Sequence, residues 1–220
     1  MDVRPLSCPA QEEKRSPREE HGQRGCREVK VPAQKVTTVK LTPKAQPLKD
    51  KQTATKDGAM ITELIDGVKI REARTVIDYR GELTEMWNDD WAFDDGGVPY
   101  VYHVCCAPGS VRAWVVHLKQ VDRLYYPSGR IQVVLYDARD GSPTQGKINE
   151  FYFGQARRAL LRIPPGVYHG VRNVGTDDAW FVNMPSTPYR HDDPDKYRLP
   201  LDTPDIPFHF KALGEARLHV

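Results

Sequence analysis

The sequence predicts an all-β protein, a small barrel or jelly roll of short strands at residues 60–220, behind an unstructured N-terminal tail. Three observations carry this. From Met60 onward, runs of five to ten residues rich in apolar side chains recur with turn residues between them. No window sustains the 3.6-residue period of a helix. Residues 1–59 contain no Phe, Tyr or Trp, whereas every aromatic of the chain lies beyond them.

The first 59 residues carry thirteen Lys/Arg and eight Asp/Glu, a net of +5, which leaves −3 of the whole chain's +2 for residues 60–220. Such a segment cannot bury enough apolar surface to offset chain entropy and is expected to be disordered. The chain's mild basicity therefore belongs to the tail and says nothing of the domain's ligand. With no interleaved aromatics, the tail's basic residues offer no nucleic-acid platform. Met60 is an alternative start for the working protein. No apolar stretch is long enough for a membrane span or a secretory signal. Of four cysteines, two lie in the tail, and Cys105 and Cys106 are neighbours on one strand and point to opposite faces. No disulfide framework is implied, and a cytoplasmic location follows.

Strands are expected at 68–77, 81–87, 100–106, 111–117, 122–126, 130–137, 147–153, 159–163, 168–174 and 179–184. Turn chemistry separates them at 94–98, Pro108-Gly109, Ser128-Gly129, 140–143, 164–166 and 175–178. After Met184 the chain becomes polar and proline-rich, yet keeps aromatics, which suits a lid or flank at the barrel mouth. Its charged run Arg190–Lys196 reads as a solvated loop rather than a metal site. Tyr100, Tyr102, Tyr125 and Tyr136 read as barrel wall.

Two stretches carry the chemistry. In Gly109–Gly129, side-chain alternation puts Val111, Ala113, Val115 and His117 on one strand face, and Asp122 opens the returning strand. In Pro164–Asn173, His169 leaves a Pro-Gly corner. Two imidazoles and a carboxylate thus stand at three strand ends that a closed sheet can bring together. For each there is a plainer role: a polar strand end for His117, a surface ion pair with Arg123 or Lys119 for Asp122, and a corner hydrogen bond for His169.

These spacings resemble the two motifs of the cupin superfamily. The first runs Gly109, five residues, Val115-Val116-His117, Asp122 where Glu is usual, and Gly129; the second is intact as Pro164, Gly166, His169 and Asn173. Within the cupins, residues 60–211 resemble the dTDP-4-dehydrorhamnose 3,5-epimerase family. The blocks that carry this are DYRGELTE (78–85), GSVRAW (109–114), VVLYDARDGSPTQGK (133–147), IPPGVYHGV (163–171) and LPLDTPDIPF (199–208).

The resemblance implies a strand-exchanged homodimer that needs no cofactor and acts on a nucleotide-linked 4-keto-6-deoxy sugar, epimerising carbons beside the ketone. Such chemistry needs a base, an acid on the opposite ring face and a positive group for the enolate oxygen. Position by position, the family's catalytic His falls on Val115, its supporting Asp on Val133, its Lys on Asp122 and its Tyr on Asn183. The proton-transfer machinery is therefore expected to be absent. His117 and His169 are the imidazoles left to move a proton. Arg112 matches a phosphate-binding arginine, Arg80 and Glu85 match residues at the nucleotide end, and Asn183 stands in the substrate pocket. The parity of Arg112 is opposite to that of Val115, so a bulge or a partner subunit is required to bring it inward.

Three readings stay open at this point: an epimerase-like enzyme, a non-catalytic sugar-nucleotide binder, and a cupin enzyme with one divalent metal ion on His117, Asp122 and His169.

Overall fold

The computed structural model describes residues 49–58 and 60–211. The expected disorder of residues 1–48 and 59 lies outside the described residues. Residues 49–58 are exposed except for Ala54, which bridges Met60.

In chain order the strands are β1 (Lys69–Glu72), β2 (Thr75–Asp78), β3 (Gly81–Thr84), β4 (Tyr102–Cys106), β5 (Val111–Val116) and β6 (Asp122–Ser128). They continue as β7 (Arg130–Asp137), β8 (Ile148–Gly154), β9 (Ala159–Ile163), β10 (Val167–Asn173), β11 (Ala179–Asn183) and β12 (Tyr197–Arg198). A single 3-10 turn at Asp89–Trp91 is the helical content of the described residues. The strands form two five-stranded sheets, ordered β1-β9-β6-β11-β4 and β12-β5-β10-β7-β8, and a separate β2-β3 hairpin. Every pairing is antiparallel.

The run expected as one strand at 68–77 is two. β1 pairs with β9 only as far as Glu72 opposite Ala159, where β9 begins, and the chain then leaves to build the hairpin. β12 was not expected at all. Two residues are too few for a period-two pattern, and it exists because β5 offers an edge.

Between the sheets lies one core, with Leu124, Tyr126, Phe181 and Leu161 from the first sheet facing Ile131, Val133, Leu135, Phe153 and Val171 from the second. Strands β6 and β7 are buried on both faces, because other chain segments cover the outer ones. Outside β7, Val134 and Trp114 are closed over by Ile206, with Phe208 and Phe210 packed alongside. This is where the aromatic-bearing closing segment goes, as a flank. Outside the first sheet, Tyr125, Leu160 and Met184 pack with Trp87, Trp91 and Phe93.

One irregularity sets up the site. On β10, His169 pairs with Val115 and Val171 with Arg112, so three steps on β5 match two on β10. The extra residue is a bulge, and it reverses the alternation of β5 at Ala113-Trp114. Ala113 and Trp114 therefore both pack with the outer cluster, while Arg112 and Val115 both line the inner cavity. The single face expected for Val111, Ala113, Val115 and His117 is corrected accordingly. Gly170 makes room for it: a Cβ there would stand 2.5 Å from Ala113 Cβ.

Candidate functional site

His117 follows β5 directly, Asp122 opens β6 and His169 lies on β10, so one end of the sandwich collects all three. They are buried, at 7%, 3% and 8% exposure, which rules out the plain roles of surface ion pair and exposed strand end. Arg123, the expected surface partner of Asp122, is itself buried and bonds Asp94 at 2.7 Å on the outer face of its sheet.

Both imidazoles address one oxygen. His117 Nε2 and His169 Nε2 each stand 3.3 Å from Asp122 Oδ2, and the two rings stack with centroids 5.7 Å apart. The other carboxylate oxygen, Oδ1, accepts from Gln120 Nε2 at 2.7 Å and Asn183 Nδ2 at 3.1 Å. The far nitrogen of each ring faces a backbone carbonyl, Asp195 for His117 Nδ1 and Val167, at 3.3 Å, for His169 Nδ1. Burial disfavours charge on His117, but the Asp122 carboxylate outweighs this and raises its pKa. Burial likewise disfavours charge on Asp122, and the hydrogen bonds from His117 and His169 overcome it, holding the carboxyl well below the usual range.

The charged run Arg190–Lys196 is more than a solvated loop. The Asp195 carboxylate accepts from the backbone N–H groups of Leu118, Lys119 and Gln120 at 3.0, 2.8 and 2.8 Å, which ties the closing segment to the β5–β6 turn. Burial works against its charge, but these N–H groups prevail and lower its pKa.

The cluster forms part of the wall of a cavity of about 90 Å³, whose wall also includes Val115, Asn183 and Tyr102. Arg112, Lys196 and Arg198 line it too, and no ion pair holds them among the described residues. Burial lowers the pKa of Lys196, and the nearby Arg198 adds to the effect. A second cavity, of about 480 Å³, shares His117 and Lys196 with the first and reaches out to Tyr189 and Tyr197. Asn183 donates to the Tyr102 hydroxyl at 2.9 Å, while its own Oδ1 is buried without a partner.

Of the site residues expected from sequence, His117, Asp122, His169, Asn183 and Arg112 come together. Arg80 and Glu85 do not: both are exposed around the β2–β3 hairpin, Arg80 paired with Asp78, and neither lines these cavities. Sequence reasoning missed Gln120, Lys196 and Arg198. Gln120 shares the turn with His117, a signal within reach; the two cations sit in a segment whose seating only the fold reveals.

The family model described as dTDP-4-dehydrorhamnose 3,5-epimerase matches residues 62–215. A probable low-salt glycan biosynthesis epimerase, Agl13 of Haloferax volcanii, is 37% identical over 139 residues, 63% of this chain and 89% of its own length. The spore coat polysaccharide biosynthesis protein SpsL of Bacillus subtilis is 35% identical over 153 residues, covering 68% and 98%. A crystal structure of a dTDP sugar isomerase from Desulfovibrio desulfuricans G20 superposes with a TM-score of 0.61 at 32% identity, over 70% of this chain and 96% of that one.

Proposed function

The chain belongs to the dTDP-4-dehydrorhamnose 3,5-epimerase family, and from that premise we propose that it binds a dTDP-linked 4-keto-6-deoxy sugar in glycan biosynthesis while exchanging the sugar's C3 and C5 protons poorly. The observation that carries this is the convergence of Arg112, Lys196 and Arg198 on the cavity that His117, Asp122 and His169 also line. Three cations without carboxylate partners among the described residues suit a diphosphate. The adjoining cavity of about 480 Å³ falls within the range of small-molecule sites and has room for the rest of a nucleotide. Asn183 Oδ1, buried and unpartnered, suits a sugar hydroxyl.

The weak chemistry rests on what replaces the family's groups. Val115 puts an aliphatic side chain where the base belongs, and it is buried beside the cavity. Asp122 brings a negative charge where an enolate needs a positive one. Asn183 cannot act as an acid at neutral pH. His117 and His169 remain as imidazoles, but each is engaged with Asp122. Loss of a general base commonly costs about 10²- to 10⁴-fold in rate. Arg80 and Glu85 enter this reading through a second copy of the chain. The β2–β3 hairpin exposes Val76, Ile77, Tyr79 and Leu83, the kind of surface a homodimer covers.

Calorimetry with the dTDP-4-keto-6-deoxy sugar, beside proton NMR of the same mixture in deuterated water, tests the proposal. Binding with little exchange is expected, and Arg112→Ala should weaken binding about tenfold or more, consistent with loss of a charge-assisted contact. Exchange at the rate of an active epimerase would overturn the loss of machinery and make His117 or His169 the base. Absence of binding would remove this ligand from consideration.

A further inference from the structure

We propose that Tyr102 and Asn183 select the ketone edge of the bound sugar, Tyr102 donating to the carbonyl oxygen and Asn183 accepting from the hydroxyl on the neighbouring carbon. This rests on the reading above and names the part of the sugar that the chain discriminates. Three adjacent strands carry the relevant groups. Tyr102 on β4 stands opposite Asn183 on β11, and Asn183 stands opposite Leu124 on β6, two residues from Asp122. Cross-strand partners share a face, so Asp122, Asn183 and Tyr102 lie in a row on the inner side of their sheet. Asp122 fixes the direction of the hydrogen bonds along this row. An ionised carboxylate only accepts, so Asn183 must turn its amide nitrogen toward it, and Nδ2 donates to Asp122 Oδ1 at 3.1 Å. The second Nδ2 proton goes to the Tyr102 hydroxyl oxygen at 2.9 Å. Both amide protons are then spent. Asn183 Oδ1 is left without a partner on a residue that is 2% exposed.

The Tyr102 oxygen, already an acceptor, keeps its own proton, and among the described residues no acceptor takes it. Burial, and after it the charge of Asp122, raises the Tyr102 pKa, so this proton stays in place at neutral pH. A hydroxyl that accepts one hydrogen bond donates the next more strongly. The Tyr100 ring, with its centroid 5.3 Å from that of Tyr102, packs against it and limits its movement. The cavity of about 90 Å³ that Tyr102 and Asn183 both line therefore offers one donor and one acceptor side by side. A ligand that satisfies both carries an oxygen that only accepts next to a hydroxyl. A carbonyl beside a hydroxyl-bearing carbon has this pattern, and a 4-keto sugar presents it at C4 and C3. An alcohol at C4 fits less well, because its own proton competes with that of the C3 hydroxyl for a single buried oxygen.

The test measures the affinity of the full chain for three ligands by calorimetry. These are the dTDP-4-keto-6-deoxy sugar, the same sugar nucleotide with C4 reduced to the alcohol, and dTDP alone. The wild type should bind the ketone about tenfold more tightly than the alcohol, the worth of one well-made hydrogen bond. Tyr102→Phe should weaken ketone binding by about the same factor, bring ketone and alcohol level, and leave dTDP binding unchanged. Equal affinity of the wild type for ketone and alcohol overturns the proposal, and decides the matter even where the variant fails to fold. A Tyr102→Phe protein that keeps the preference overturns it as well. So does one that loses dTDP in the same proportion, because Tyr102 then serves the fold and not the sugar. Failure of the underlying reading looks different: a wild type that binds none of the three ligands removes the sugar nucleotide and this proposal together. Binding without preference leaves the nucleotide in place and removes only the recognition by Tyr102 and Asn183.

Discussion

Two aspartates occupy nearly equivalent places in this fold and have opposite meanings. Asp122 opens β6 and Asp137 closes β7, and both are buried, at 3% and 0% exposure. Asp137 accepts from Arg139 Nε at 2.8 Å and Nη2 at 2.9 Å, from Ser142 Oγ and Thr144 Oγ1 at 2.6 Å each, and from the Arg139 backbone N–H at 3.1 Å. Every partner is a donor, and the guanidinium keeps its charge at any accessible pH. The charge is balanced, and the loop after β7 is closed on itself. Asp122 has four contacts, from Gln120, Asn183 and two imidazoles, and an imidazole can lose the proton it shares with a carboxylate. Burial and charge are the same in both places. The permanence of the partner's charge separates the two: a guanidinium fixes Asp137, whereas the partners of Asp122 can titrate.

The largest effect expected from this contrast is at Asp137. In Asp137→Asn, Arg139 keeps a charge it cannot release, and the new amide turns a donor toward other donors. Removing one member of a buried pair costs about 3–5 kcal/mol. Arg139 is 24% exposed, so water softens the loss and the lower end applies. At this chain size about 3 kcal/mol lowers the melting temperature by roughly 6–12 °C, to be read by calorimetry.

Asp122→Asn should cost far less, about 1 kcal/mol. An imidazole, unlike a guanidinium, can give up a proton when its partner loses charge, and the new amide can then donate to the Nε2 atom so freed. Equal losses at the two positions would break the comparison and make the Asp122 cluster structural. A stabilised variant would sharpen it, because groups placed for ligands are often a strain on the fold.

The sequence made the strands legible because most have one face on the core and regular turn residues between them; nine of the ten expected runs have a strand with nearly the expected bounds. The gathering of His117, Asp122 and His169 was legible from spacing, since strand ends in a closed sandwich meet. The bulge in β5 was not. Its trace is Gly170, the one residue of β10 small enough to lie against Ala113, and a glycine after a histidine has many other causes. Lys196 and Arg198 were illegible for a different reason. They reach the site through hydrogen bonds from the β5–β6 turn to Asp195 and through the edge of β5, contacts between residues about 80 apart that leave no periodic mark.

The smallest effect separates the two aspartates by acid alone. Burial opposes the charge of Asp137, and the hydrogen bonds from Arg139, Ser142 and Thr144 outweigh it, so its pKa lies far below the ordinary range. A depressed carboxylate contributes stability that is complete above its unfolded value, about 3.9. That contribution is lost as the pH falls from there toward the folded pKa, since the unfolded chain takes up the proton first. Chemical denaturation of the wild type should therefore show no change from this group between pH 7 and 5 and a decline below about pH 4. At pH 3 the unfolded chain is protonated and the folded one is not, so only part of the Asp137 contribution has gone. The drop must be smaller than that caused by Asp137→Asn at pH 7. The variant, with no carboxyl to titrate at 137, should decline less steeply over the same range. Parallel curves for the two proteins would mean that Asp137 is not held as a charged group, and the contrast with Asp122 would lose its fixed point.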